Sequence, residues 1–415
     1  MQLHFNAISE LGKPGAKWRK LYNTHWPAYK NWLNSKGTTN YPDLKTSQAA
    51  LKKYMPEMWP TYQRLCKLAK GDQVAARFLT GFQPPAYISG CSQAVITGKE
   101  IQLVRNYDHH PDLMEGTQLL TSWHGKKVIA TSDCLIGALD GMNEDGLAIS
   151  LTFGGRKEVG VGFGIPFILR YVLEFCSTVE EAVAALTRIP SHMSYNVTVV
   201  DKTGTYKTVQ LAPDKAPLVT DASFATNHQR TIDWPENAAF NKTLERSSFL
   251  NALLSKKEMN STNVADVFLK TPLYNTNYKE GFGTLFTSVY RPLEGKVVLR
   301  WPETSVEQTF DNFQEVYKCI EYDRVEVSDL LHRETIDAAI KVDDPFEQLY
   351  TQNADWQETV TDILIKAMAQ TYPATNERDL KKLRGKIMDN GEVSWQAIAG
   401  FWSKMGTGYG DAWKS

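Results

Sequence analysis

The residues with the clearest chemical potential are Ser89-Gly90-Cys91-Ser92-Gln93, which sit where a helical-looking segment gives way to a strand-like one. A Gly-Cys dipeptide alone says little, because a lone cysteine is more often a small buried hydrophobe than a nucleophile. The junction changes that weighting. A thiol that attacks its own preceding carbonyl needs an unhindered, bendable peptide, and glycine supplies both. The N-to-S shift yields a thioester, and its hydrolysis leaves Cys91 as a new N-terminus. The freed α-amine has a reference pKa of about 7.7–8.0 and can act as base for the thiol of the same residue. Nucleophile and base then share one residue, and no histidine is required.

The residues after Cys91 decide what surrounds it. CSQAVITGKEIQLVRNYD reads as two short strands about a Gly98-Lys99 turn, which places Cys91 opposite Asn106. Arg105 and Asp108 return close to the thiol. A nearby guanidinium favours the thiolate, whose reference pKa of about 8.5 is otherwise too high for neutral pH. Arg105 and Asp108 are three apart and fall on opposite faces of a regular strand, so both reach Cys91 only if the strand ends or bulges there.

The elements that must hold these groups follow from periodicity. Residues 1 to about 89 read as helical, with WRKLYNTHWPAYKNWLN and SQAALKKYMPEMWPTYQRLCKLA carrying apolar residues at helical spacing. TGFQPPAYISG breaks the pattern. KKVIATSD and GLAISLTF are further strands. A helix opens at Pro166, and a second is capped by Thr178 with Glu181 three residues on. SYNVTVVDKTGTYKTVQLA forms a hairpin about Lys202–Gly204, and SFATNHQ is another strand. LERSSFLNALL and VADVFLK are helical, and GTLFTSVYRPLEGKVVLRW is a hairpin. The tail from about residue 343 reads as mostly helical. Hairpins with paired helices between them imply antiparallel sheets under helical layers, an α+β fold.

Composition excludes some functions. The 415 residues include 46 basic and 47 acidic side chains, closely interspersed, for a net charge of −1. Nothing in that balance calls for nucleic acid or a membrane surface as partner. No apolar run approaches the roughly 18 residues that span a bilayer, and MQLHFNAISELGKPGAKWRK lacks the order of a signal peptide, so a cytoplasmic location is expected. The five cysteines, Cys66, Cys91, Cys134, Cys176 and Cys319, form neither a CxxC pair nor a zinc-like spacing.

The runs GCSQAV, VRNYD, DGMNEDGLAISLTFGG, YNVTVVDKTG and ATNHQ, in that order over about residues 60 to 300, resemble the acyl-coenzyme A:isopenicillin N (6-aminopenicillanic acid) acyltransferase family. That family is related to choloylglycine hydrolases and penicillin V acylases. The resemblance implies the four-layer αββα sandwich of N-terminal-nucleophile (Ntn) hydrolases. By motif, Cys91 matches the nucleophile and autocleavage residue, with the cut after Gly90. Arg105 and Asp108 match its flanking pair, and Asn143 in GMNE matches an oxyanion-binding asparagine. Asn227 in ATNHQ matches a second active-site asparagine, and Arg246 in LERSSFL an arginine of choloylglycine hydrolases. The long leader resembles the acyltransferase branch, in which the leader stays bound as a separate subunit. Three segments are thus expected: a helical leader over 1–90, a catalytic core over 91–342 and a helical extension over 343–415.

The bland readings compete with these. Asparagine in Met-Asn-Glu-Asp-Gly is a common turn residue. Asp108-His109-His110-Pro111-Asp112 invites a metal reading, but adjacent histidines on an extended segment point to opposite sides. Gly160–Gly164 has GxGxG spacing and reads as a tight turn, although a coenzyme A phosphate could touch it. Cys66, Cys134 and Cys176 belong to cores. The expected activity is hydrolysis of a linear amide in a small N-acyl compound through an acyl-enzyme, with no cofactor and no metal. Acyl transfer from coenzyme A or an amide to a small amine is the runner-up. The rivals are a non-catalytic binding protein on the same fold and a metal-dependent amidohydrolase using His109, His110 and Asp112. The expected partners are an acyl amide or acyl-coenzyme A substrate and the protein's own cleaved leader, with a homo-oligomer open.

Overall fold

A computed structural model describes residues 1–35, 41–255, 261–278, 281–322, 388–389 and 392–393. Its contacts divide the chain into Met1–Asp323 and Arg324–Ser415. Of the second unit, only a short antiparallel ladder is described, Met388–Asp389 against Glu392–Val393. The helical extension expected over 343–415 otherwise lies outside the described residues.

The first unit is a four-layer αββα sandwich built on two sheets. Strands β1 (Gln2–Glu10), β4 (Thr117–Thr121), β5 (Val128–Asp133), β6 (Gly137–Asn143), β7 (Ala148–Phe153), β8 (Tyr195–Val200), β9 (Tyr206–Leu211), β10 (Leu218–Thr220) and β15 (Val316–Glu321) form one nine-stranded sheet, in the order β10-β9-β8-β7-β6-β5-β4-β1-β15. The second sheet runs β11 (Phe224–Ala225), β2 (Gly90–Ile96), β3 (Gln102–His109), β12 (Gly283–Arg291), β13 (Lys296–Trp301), β14 (Thr304–Thr309). Every pairing is antiparallel except β1 on β4. Apolar side chains from both sheets meet between them, among them Leu103, Ile129, Met142, Val200, Tyr290 and Val297.

Helices cover both outer faces. On the nine-stranded sheet lie α5 (Ile165–Phe175), α6 (Val179–Arg188) and the leader helices α1 (Ala16–Ser35), α2 (Leu44–Tyr54), α3 (Trp59–Leu68) and α4 (Gln73–Phe78), all sharing one core. The other sheet carries α7 (Pro235–Phe240), α8 (Thr243–Leu254) and α9 (Ser261–Val267). Leu250, Leu253, Val264 and Phe268 there pack on Ala94, Val104 and Val289. Side chains start the helices where the sequence supplies acceptors: Asp43 caps α2, Asp72 caps α4 and Thr178 caps α6. Glu10 does the same for α1, accepting from the backbone N–H groups of Gly15, Lys17 and Trp18. No described helix is long and apolar enough to cross a membrane.

Two local expectations need correction, and one strand was not read from the sequence. The leader is not helical throughout: QLHFNAISE forms β1, with Phe5 and Ala7 turned inward, and lies between β4 and β15 inside the sheet. Its alternation is too short and too polar to outweigh the helical pattern that follows it. The β2–β3 register is displaced by one residue, so Cys91 faces Tyr107 and Ser92 faces Asn106. A slip of this size exchanges the faces of a strand. GALDGMN, which lacks β-branched residues, is the central strand β6. It is held there because Gly141 lets α5 approach closely: a Cβ at Gly141 would lie 2.6 Å from Leu173 Cδ1 and 2.9 Å from Ala130 Cβ.

Gly141→Leu is therefore expected to lower unfolding stability by about 1–3 kcal/mol or more through overpacking, read as a lower urea midpoint at unchanged slope. An unchanged midpoint would remove the close-approach explanation for this strand.

Candidate active site

Cys91 is completely buried on β2, with its thiol in the space between the sheets. The strand register places Arg105 two pairs along β3, so its guanidinium lies diagonally across from Cys91 on the same face. Arg105 Nη2 donates to Cys91 Sγ at 3.0 Å, Nη1 to Asp140 Oδ2 at 2.6 Å, and Nε to the Leu151 carbonyl at 2.8 Å. Asp140 and Leu151 belong to the facing sheet, so this one side chain ties the thiol to both layers. Asp140 also accepts from Thr131, Tyr290 and Ser288. The full set of donors fixes its carboxylate and, through it, the Arg105 fork.

The other face of β2 and β3 carries the second half of the cluster. Asp108 points away from Arg105, accepts from Thr284 Oγ1 at 2.7 Å and stands 3.9 Å from Arg246 of α8. The alternation of β3 holds, so Arg105 and Asp108 do not both point at the thiol; the bulge in this region lies on the partner strand β12, between Thr284 and Phe286. Arg246 donates to the Cys91 carbonyl, to Ser92 Oγ at 2.8 Å and to Asn227 Oδ1 at 2.7 Å. Asn227 lies just past β11, the strand that pairs with β2, and its Oδ1 accepts the Cys91 backbone N–H at 2.9 Å. The Asn227 amide nitrogen faces the carbonyls of Phe153 at 3.2 Å and Ser89 at 3.5 Å. At the junction, Gly90 is packed under Phe282, whose ring tip would meet a Cβ at 2.3 Å.

The buried charges are Arg105 and Arg246 against Asp108 and Asp140, which cancel while the thiol is neutral. Burial pushes the Cys91 thiol up, and this outweighs the lowering by Arg105, with Asp108 raising it further. Proximity of Arg105 therefore does not by itself produce a thiolate. Burial also raises Asp108, against the opposing pull of Arg246. It lowers Arg246, against Asp108. For Arg105 the burial penalty is overcome by Cys91 and Asp140, which hold it firmly protonated.

Of the residues singled out from the sequence, the fold gathers Cys91, Arg105, Asp108, Asn227 and Arg246, and leaves Asn143 out. Asn143 ends β6, and its amide nitrogen donates to the carbonyls of Leu173 and Cys176 at 3.0 and 2.7 Å, while its oxygen accepts from Leu147 N at 3.1 Å. It ties the C-terminal end of α5 to the β6–β7 turn and has no donor left for an oxyanion. The turn reading of its motif holds. His109 and His110 each use Nδ1 to accept a nearby backbone N–H, and burial, then His110 and Arg105, lowers His109 to about 4. Among the described residues no three His, Cys, Asp or Glu side chains converge as metal ligands. The Gly160–Gly164 loop grips the leader: Gln83 N bonds to the Gly162 carbonyl and Gly164 N to that of Gly81. All five cysteines are free thiols.

The family model for acyl-coenzyme A:6-aminopenicillanic acid acyl-transferase matches residues 96–305, opening just downstream of Cys91 and including Arg105, Asp108, Asn227 and Arg246. The chain belongs to this family. No curated protein sequence matches it. Similar solved structures include a variant of conjugated bile acid hydrolase from Clostridium perfringens, at 13% identity over 56% of this chain and 97% of that one, TM-score 0.37. Penicillin V acylase from Agrobacterium tumefaciens aligns at 16% identity over 53% of this chain and 86% of that one, TM-score 0.36. The Caenorhabditis elegans ortholog of N-acylethanolamine-hydrolyzing acid amidase aligns at 17% identity over 56% of this chain and all (100%) of that one, TM-score 0.36.

Asp140 is the residue the sequence reading passed over. Its one signal was a charged residue in a run otherwise made of glycine and apolar side chains. Asp140→Asn keeps the shape but strands Arg105 as a buried cation, and is expected to cost roughly 3–5 kcal/mol in urea unfolding. Asp145→Asn, at a half-exposed pair with Lys126, is expected to cost about 1 kcal/mol or less. Equal losses would mean that Arg105 does not depend on Asp140.

Proposed function

We propose that this chain is the zymogen of a self-processing cysteine Ntn hydrolase, which cuts between Gly90 and Cys91 and then hydrolyses a linear amide of a small N-acyl compound. The observation that carries the reading is the hydrogen-bonding of the two ends of Cys91. Its thiol meets Arg105, and its backbone nitrogen meets Asn227 Oδ1. In the uncut chain, ionising the thiol would leave an uncompensated charge in a neutral, buried cluster. Once Cys91 is an N-terminus, its amine can accept the thiol proton, and the thiolate–ammonium pair preserves neutrality. Asn227 Oδ1 is already set to hold that amine.

The steps follow from these positions. The thiolate attacks the amide carbonyl and a tetrahedral intermediate forms. Departure of the segment ending at Gly90 frees the Asn227 amide from the Ser89 carbonyl, and its Nδ2 then serves the oxyanion. The Cys91 amine passes its proton to the leaving nitrogen, and water releases the acyl group from the thioester. Arg105 and Arg246 hold the two ends of Cys91 throughout, with Asp140 and Asp108 as their counter-charges. The leader, 1–90, remains as a subunit because β1 is an inner strand. The family description favours a second outcome, in which a small amine rather than water takes the acyl group.

Intact-mass and N-terminal sequencing of active protein should show a chain beginning Cys-Ser-Gln beside a leader that co-elutes on native size exclusion. Cys91→Ala should stay full-length and inactive. An uncut active protein would exclude this mechanism. Asn227→Ala, assayed as precleaved enzyme on a panel of N-acyl amides, should lower kcat by about 10²–10³-fold, as for loss of one oxyanion donor. Adding small amines to the assay separates the two outcomes, since acyl transfer gives a new amide at the expense of free acid.

A further inference from the structure

A second buried cluster lies where the leader meets the catalytic layers, and it contains an excess of acceptors. Tyr29 of α1 inserts its hydroxyl between two carboxyl groups, 2.8 Å from Glu115 Oε1 and 2.9 Å from Asp133 Oδ1. The same oxygen accepts the backbone N–H of Cys134 at 2.8 Å. A phenol has one proton and two lone pairs. Cys134 takes one lone pair, and the hydroxyl proton serves one carboxylate. The remaining short contact to a carboxyl oxygen is attractive only if that carboxyl brings its own proton to the second lone pair.

Hydrogen-bond counting decides which carboxyl does so. Glu115 also accepts from Leu135 N at 2.7 Å and from Ser132 Oγ at 2.7 Å, so three donors converge on it. Asp133 has, besides Tyr29, a weak contact from the Cys134 thiol at 3.7 Å and a share of the Cys134 backbone N–H, whose 2.8 Å bond goes to the Tyr29 hydroxyl. Asp133 is therefore the member that keeps the proton. The groups facing it are Tyr29 from α1, Glu115 from the segment before β4, Cys134 from the β5–β6 turn, Tyr107 from β3, Tyr195 from β8 and Tyr87 from the stretch leading to Gly90. None of these is a cation. Burial, followed by Glu115, raises Asp133 to about 7.

We propose that Tyr29, Glu115 and Asp133 form a one-proton clamp that fastens leader helix α1 to the β5–β6 turn, and that loss of the proton loosens α1. The turn is held under strain, with Cys134 and Leu135 both at positive φ (55° and 71°). The Tyr29 hydroxyl bonds to the first of these residues, and Glu115 to the backbone N–H of the second. Next to the turn, Tyr107 is the residue directly opposite Cys91 in the β2–β3 ladder, and Asp133 lies near its hydroxyl. The clamp thus borders the wall of the thiol site. Deprotonation would place two carboxylates on one hydroxyl, and the groups that face Asp133 supply no cation to offset them.

The sign of the pH effect follows from linkage. A carboxyl group whose pKa is higher when docked favours docking below its free value of about 3.9. That contribution is lost progressively as pH rises to about 7, with no further loss above it. Hydrogen exchange on the full Cys91→Ala chain, corrected for intrinsic rates, tests this apart from any self-cleavage. Peptides from α1 and the β5–β6 turn should lose protection by at least tenfold between pH 5.5 and 8 and stay level from 8 to 9, while β2–β3 peptides do not change. Asp133→Asn, which donates to Tyr29 without titrating, should abolish the pH dependence. Tyr29→Phe should show fast α1 exchange at both pH values. A flat profile in the Cys91→Ala chain, or one that persists in Asp133→Asn, would overturn the clamp.

Discussion

The contact between Arg105 and the Cys91 thiol constrains everything around it. A guanidinium with no exposure needs a fixed anion and fixed acceptors, and the fold supplies both from the opposite sheet through Asp140 and the Leu151 carbonyl. The inter-sheet space is otherwise apolar at the end occupied by Leu103, Ile129 and Val297. The sandwich therefore combines a dry half, which supplies burial, with a polar half, where Gln93, Ser150, Thr198, Arg105 and Asp140 connect one sheet to the other. Polar groups at such depth are costly unless each is satisfied, so this layer fixes the relative position of the sheets as well as that of the thiol.

A second pair of charges, Arg246 and Asp108, lies on the far face of β2 and β3, and the strand passes between the two pairs. Side chains on one face hold the sulfur and those on the other hold the nitrogen and carbonyl of the same residue. This division follows from the period of two in a β-strand. It also explains why Asn227 acts from a neighbouring strand: β11 ends before reaching Cys91, and the asparagine side chain satisfies the N–H that the ladder leaves open.

The segment before Cys91 is an integral part of this architecture. β1 closes the gap between β4 and β15, α1 stacks Trp18, Tyr22 and Trp26 along one face, and Trp18 bonds to the Leu135 carbonyl. The glycine loop before α5 holds the segment approaching Gly90. The same β5–β6 turn that receives Trp18 and Tyr29 lies beside Tyr107, so the packing of the leader and the shape of the thiol site share a boundary.

Much of this was legible in the sequence, and the limits have physical causes. Hairpin turns at Gly98, Gly204 and Gly295, the cap at Thr178 and antiparallel sheets under helical layers follow from local chemistry and periodicity, and the αββα order from the family resemblance. The motifs identified Cys91, Arg105, Asp108, Asn227 and Arg246 as a set. Register did not follow, because a one-residue shift costs nothing in the local pattern and is settled only by neighbours on both sides of β2 and β3. β1 and β6 were missed for a related reason: their residues have weak strand preference and are held by adjoining strands and by α5. Asn143 stands in the expected motif, yet its amide is consumed by Leu173 and Cys176 at the end of α5, 30 and 33 residues away in the chain. Asp140 carried no motif at all. Local sequence determined which groups could react and which turns could form. Only the tertiary structure decided which buried donors and acceptors were already spent, because hydrogen-bond capacity is used up by partners distant in the chain.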